Sequence, residues 1–319
     1  MGAKEANKRR VGVEVEFGGI GLVAAVDVVA AGLEAKVTAV SEHEYLLSSA
    51  LHADPFRLEV DFRLLQEMSR DEAEDPNAIR RTAVDVLGAA ASLLTPLELV
   101  SPPLEFDQID DVERVLDALA AAGAVGTQDS IAYAFGTHFN PSVVDFEPAS
   151  LLRHLQAFLC LTAWLKARDQ IDLTRRITSF ANPFPKSYEL KVLPSGYDPA
   201  LPALIDDYLA DNPTRNRALD LLPLFSFLDD ERVGRVVDDE LVKARPTFHY
   251  RMPNSRLGDP DWTIRRPWED WLTVERLAAR PAALRSLCDE RLQRLQQWAL
   301  LEREADWVER CDAVVAGLE

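Results

Sequence analysis

The chain has 319 residues, 47% of them hydrophobic, enough to bury a large core. Its 53 acidic residues against 35 basic ones give a formal net charge of −18. That balance argues against nucleic acid as a partner, because phosphate neutralisation needs clustered Lys and Arg, and against an anionic membrane surface. Met1 to Arg10 is short and polar, without the apolar core of a secretory leader. The longest apolar run, residues 20–33, carries Asp27 and is too short to span a bilayer. A soluble cytoplasmic protein is expected. Cys160, Cys288 and Cys311 are odd in number and widely spaced in helical patterns, so they read as buried small hydrophobes in a reducing compartment.

In chain order, residues 10–17 alternate as a strand and end at Gly18-Gly19. An apolar helix follows to about Ala31, stopped by Gly32. Strands are predicted over residues 36–41 and 57–65. In the second, Leu58, Val60, Phe62 and Leu64 face one way, and Arg57, Glu59, Asp61 and Arg63 the other. Asp75-Pro76 opens a helix to about Leu94, and a short strand covers 97–101. A helix over 107–122 is closed by Gly123, a strand spans 131–140, and a long helix runs from Pro148 to about Gln170. Residues 171–199 have no firm period; a short strand over 187–193 is the one element suggested there. Asn212-Pro213 reads as cap and first turn of a helix to about Leu228, and 244–251 as a strand. After Pro253 the pattern is helical, with Trp268, Trp271, Trp298 and Trp307 as packing anchors. Strands scattered among helices, several with one charged face, suit an α+β domain with an antiparallel sheet exposing one face to a cleft. There is no internal repeat, and the GxxxxGK[ST], GxGxxG, HExxH and GxSxG devices are absent.

Four stretches can carry chemistry. In VGVEVEF (11–17), Glu14 and Glu16 project from one strand face, their Cα atoms roughly 6.6–6.8 Å apart. Two like carboxylates on one face call for a cation between them, and a pair of divalent ions about 3.5–4 Å apart could be served by one each. The bland reading is a solvated acidic face. In LELVSPPL (97–104), Glu98 sits in an otherwise apolar strand, so it is paired, metal-bound or at an edge. In AYAFGTHFNPS (132–142), His138 and Asn140 share a face with the small residues Ala134 and Gly136, leaving room for a ligand. In RPTFHYRMPN (245–254), Thr247, His249 and Arg251 share a face. A strand-borne Arg suits phosphate through its planar fork, and His249 beside it could ligate a metal. Arg215 and Arg217 are within reach of a phosphate or carboxylate, although solvated charges are the simpler reading.

These segments in this order resemble the amidoligase family of glutamine-synthetase-like carboxylate–amine ligases, which includes glutamate–cysteine ligase. The matching segments are VGVEVEF (11–17), RLEVDFRLL (57–65), LELVSPPL (97–104), YAFGTHFNP (133–141), TRNRALDLLPL (214–224) and TFHYRMPN (247–254), covering the chain to about residue 254. The resemblance implies one catalytic domain over residues 1–319, with 255–319 as a helical extension packed on it. It also implies a curved antiparallel sheet around a cleft that holds ATP and Mg²⁺. By position, Glu14, Glu16, Asp61, Glu98, His138 and His249 resemble metal ligands. Asn140, Arg215, Arg217 and Arg251 resemble nucleotide-binding residues, with Arg251 and His138 closest to the chemistry. The sequence departs from the family at His249, where relatives show Glu in a Glu-x-Arg pair, and at Asp220, where Asn is commoner. A His ligand favours Mn²⁺ over Mg²⁺.

The activity so implied is ATP-dependent joining of a small-molecule or peptide carboxylate to an amine through an acyl phosphate, with the Pro-rich 181–199 segment as a cover excluding water. The same sheet and metals would also serve a phosphotransferase, or a catalytically impaired relative that binds nucleotide or a partner. Ring-forming relatives make a homo-oligomer an expectation.

Overall fold

A computed structural model describes residues 9–62, 95–127, 135–169, 182–239, 241–296 and 304–318. The helix expected over 75–94, the last residues of the strand expected over 57–65, residues 131–134 and Trp298 lie outside the described residues. The fold is α+β, and the chain divides into two compact units. One comprises residues 1–139 and 253–265, the other residues 140–252 and 266–319. No helix among the described residues is long and apolar enough to cross a membrane.

The first unit is built on strands in the order β2 (Lys36–Ala39), β3 (Glu44–Ser48), β4 (Phe56–Val60), β5 (Leu97–Val100), β1 (Arg10–Phe17) and the first three residues of β7 (Thr137–Pro141), with β6 (Leu104–Glu105) beside β1. The pairings of β2, β3, β4, β5, β1 and β6 are antiparallel. Alternation decides which face each residue takes. Val15 stands opposite Leu99 and Leu99 opposite Leu58, all three buried. Helices α1 (Leu22–Leu33) and α2 (Ile109–Ala121) supply the apolar partners, through Ala25, Val26, Val29 and Leu33 of the first and Ile109, Val112, Val115, Leu116 and Leu119 of the second. Burying a Val or Leu in such a layer stabilises the fold by roughly 1.5–3 kcal/mol each.

Several expectations for this unit are corrected. Gly32 lies inside α1, where the absent side chain lets Val115 approach, and the left-handed residue that ends the helix is Glu34 (φ 49°). β3 and β6 are additional strands. Gly126 is where backbone meets backbone: it donates to Leu257 O at 2.8 Å, and a Cβ there would lie 2.4 Å from both Leu257 N and Ser255 O.

In the second unit, β9 (His249–Tyr250) lies between the end of β7 and β8 (Leu219–Asp220). Among the described residues, six further helices belong to it: α3 (Pro148–Arg168), α4 (Lys186–Val192), α5 (Leu201–Asp211), α6 (Leu222–Gly234), α8 (Pro281–Gln296) and α9 (Glu304–Ala316). A seventh, α7 (Arg265–Ala278), begins at the last residue of the first unit. Residues 187–192 are helical, not a strand: Tyr188 and Val192, four apart, are both buried, which is a helical spacing. Asn212-Pro213 ends α5 instead of starting a helix, because the Asn212 N–H bonds Tyr208 O and Pro213 cannot continue the ladder. The next helix starts ten residues later, at Leu222. The strand expected over 244–251 contracts to His249–Tyr250 plus a bridge from Thr247 to Ser142.

The C-terminal helices pack on α3. Trp307 Nε1 donates to Cys160 O at 3.0 Å, Arg310 pairs with Glu290 at 2.6 Å, and the Cys160 and Cys288 sulfurs lie 3.7 Å apart. All three cysteines are buried and free, as expected. Trp268, Trp271 and Trp307 are buried anchors.

Candidate functional site

On the face of the first unit's sheet opposite the valine–leucine layer, register places carboxylates in a row. Glu16 stands opposite Glu98, Glu98 opposite Glu59, and Glu59 opposite Glu44. Directly opposed residues lie roughly 4.5–5.5 Å apart at Cα, and like charges there repel. Burial holds the Glu59 carboxyl above its usual range; Arg57 pulls it down, while Glu44, Asp61 and Glu14 push it up. Arg57 Nη2 is 3.4 Å from Glu59 Oε1. Glu59 was not among the candidate ligands, although the alternation of 57–63 places it on the face of Asp61; register sets it opposite Glu98. Asp61 itself is buried just beyond the end of β4, with its N–H on Pro96 O.

Glu16 is only 5% exposed. Its Oε2 accepts the Gly136 N–H at 2.6 Å, and its own N–H donates to Gly136 O at 2.9 Å, so the residue just before β7 grips both its backbone and its side chain. A side chain's backbone donor of this kind is not legible in a motif. His138, two residues along β7, is buried between two carboxylates. Its Nδ1 is 3.2 Å from Glu14 Oε2, and its Nε2 is 3.8 Å from Glu16 Oε1.

Donor atoms of Glu16, Glu98 and His138 lie within 4.8 Å of one another. A cation bonded at about 2.0–2.6 Å to each ligand holds its donors at comparable separations. Two carboxylates and one imidazole form an O,O,N set that suits Mg²⁺ or Mn²⁺. The residues fit a divalent cation.

In the second unit, Arg251 is 2% exposed. Its N–H bonds Ala218 O at 2.9 Å. Its Nη1 donates to Arg215 O at 2.5 Å and approaches Asn216 Oδ1 at 3.5 Å, so the fork is held in one orientation. Asp220 stands opposite His249 in the β8–β9 pair and accepts the Leu222 N–H at 2.9 Å. Burial raises its carboxyl to about 7 against the opposing pull of that N–H and of Arg251, Arg215 and Arg245. Asn140 Oδ1 lies 2.8 Å from His249 Nδ1. Arg215 is partly exposed, 3.8 Å from Asp239. Arg217 donates to Pro183 O and Asp211 O and lies over the Phe184 ring, so its fork fastens this segment to itself.

Residues 7–273 match the model of the family described as "putative amidoligase enzyme". The chain belongs to the amidoligase family. No curated protein and no solved structure gives a significant match. For an amidoligase, a ligase-type function is the family's general expectation, and this amidoligase keeps acidic residues and a histidine together on one sheet face.

Proposed function

We propose that this amidoligase is an ATP-dependent carboxylate–amine ligase. The observation that carries the reading is the convergence of Glu16, Glu98 and His138, with donor atoms within 4.8 Å of one another. Bound divalent cations, Mg²⁺ or Mn²⁺, would neutralise charge on the triphosphate and on the phosphoryl group in transfer. Glu16, Glu98 and His138 would hold the cation, and Glu14 orients His138 from its Nδ1 side while Asp61 would add a donor. Arg251, its fork fixed by Arg215 O and Asn216, donates to phosphoryl oxygens, and Arg215 and Asn140 contribute to nucleotide binding.

The substrate carboxylate attacks the γ-phosphorus, a bond to the ADP oxygen breaks, and an acyl phosphate forms. An amine then attacks the acyl carbon, inorganic phosphate leaves, and the amine's proton passes to a base or to water. The net products are an amide, ADP and phosphate.

The test is ADP release by the full chain with Mg²⁺ or Mn²⁺ and a panel of amino acids, polyamines and peptides. Amide formation that depends on the metal and is abolished by Glu16→Gln or Glu98→Gln is expected. A phosphorylated acceptor in place of an amide would instead make the protein a phosphotransferase. Turnover unchanged in both variants would remove the carboxylates from the site.

A further inference from the structure

His249 is buried, and the groups at its Nδ1 decide which ring nitrogen carries the proton. Arg245 Nη2 lies 3.3 Å from Nδ1, and Asn140 Oδ1 lies 2.8 Å from it. The guanidinium can only donate, so it asks for a lone pair on Nδ1. The carboxamide is under no such constraint, because a half-turn exchanges its oxygen for its NH₂. A ring protonated at both nitrogens would put a second buried cation against Arg245, which burial penalises. The arrangement that satisfies the fixed donor is a neutral ring with its proton on Nε2, and that makes Nε2 a hydrogen-bond donor.

The groups around this donor are of the same kind. Thr247, His249 and Arg251 are spaced two apart on extended backbone and share a face. Thr247 Oγ1 is shielded from water and has no hydrogen-bond partner among the described residues. Arg215, Arg245 and Arg251 all pull on the carboxyl of Asp220, the residue opposite His249. In a chain of net charge −18, three guanidiniums, an imidazole and a hydroxyl thus gather about one carboxyl. All of them lie within residues 140–252, in the second unit. Arg215, Arg245 and Thr247 keep part of their surface in water, so the face is open to a ligand.

We propose that this face binds the oxygens of a polyphosphate. His249 Nε2–H and Thr247 Oγ–H donate to them beside Arg251, and Arg245 is the positioning residue that holds the His249 tautomer from the Nδ1 side. The inference rests on the ligase reading, whose ATP supplies such an anion. It gives His249 an anion to hold where the family position pointed to a metal.

The full-length protein, in EDTA so that no divalent cation contributes, is titrated with inorganic tripolyphosphate by calorimetry. The wild type should bind. His249→Leu should weaken binding about tenfold, the scale of one hydrogen bond to a charged group. His249→Gln, whose amide N–H can stand in for Nε2–H, should restore it. In ¹⁵N-histidine-labelled protein, long-range ¹H–¹⁵N correlations report the His249 tautomer, assigned by its loss in His249→Gln. The proton is expected on Nε2 in the wild type, and the two tautomers should mix in Arg245→Met. A wild-type proton on Nδ1 overturns the proposal, and so does an unmixed tautomer in Arg245→Met. Affinity unchanged in His249→Leu, or no tripolyphosphate bound by the wild type, overturns it equally. Metal-dependent amide formation is measured separately, so any of these results leaves the ligase reading standing, and that reading fails on its own if no amide forms with metal present.

Discussion

Glu16 and Glu98 face each other directly across β1 and β5. Removing one charge from such a pair has opposite consequences with and without metal. In EDTA, Glu98→Gln should raise stability by about 0.2–1 kcal/mol, because a cross-strand repulsion is gone. With Mg²⁺ or Mn²⁺ the wild type should gain thermal stability and the variant should not. Melting curves in both buffers check this; a variant that loses stability in EDTA would mean that the carboxylates are held apart by something other than an ion.

Asp220 sets a pH dependence. Its folded-state value of about 7 exceeds the ordinary carboxylate value of about 3.9. The folded state therefore binds the proton more tightly. The stability this contributes is complete below about pH 4 and is lost as pH rises to about 7. Asp220→Asn should melt several degrees above the wild type at pH 8 and close to it at pH 4. Calorimetry at the two pH values decides; a difference of equal size at both would exclude titration of Asp220 as its source.

Arg251→Lys keeps the charge and loses the planar fork. A lysine ammonium cannot hold Arg215 O while presenting a second, fixed donor. Catalytic efficiency should fall by about 1.5–3 kcal/mol of transition-state stabilisation, with the fold intact by circular dichroism. Equal kcat/KM for the two proteins would take Arg251 out of phosphoryl contact.

Gly126→Ala should destabilise the first unit by about 1–3 kcal/mol or more. The new methyl would lie against Leu257 N and Ser255 O, two backbone atoms with no rotamer to yield. Urea unfolding measures it, and a neutral result would mean that the 253–265 segment is free to move aside.

Much of the first unit was legible because its strands alternate and bury one face. β1 runs over the very residues that the alternation marks, and Glu14, Glu16, Glu98 and His138 sit where the pattern places them. Glu59 was passed over because a motif drew attention to Asp61; only register shows that Glu59 stands level with Glu98. The second unit was harder. Its strands β8 and β9 are two residues long, too short to show a period, and their extent is set by partners. Asn212-Pro213 fits the end of one helix as well as the start of another. The Asn140–His249 bond joins residues 109 apart in sequence, and no local spacing announces it.

The carboxylate row has a consequence for assembly of the first unit's sheet. Slipping β5 by one residue against β1 would turn Glu98 and its neighbours towards α1 and α2, and their leucines out to water. A buried, ionised side chain without a partner is among the costliest errors a fold can make. A misaligned pairing is therefore disfavoured, and the residues proposed to do the chemistry also help to specify the register of the sheet that carries them.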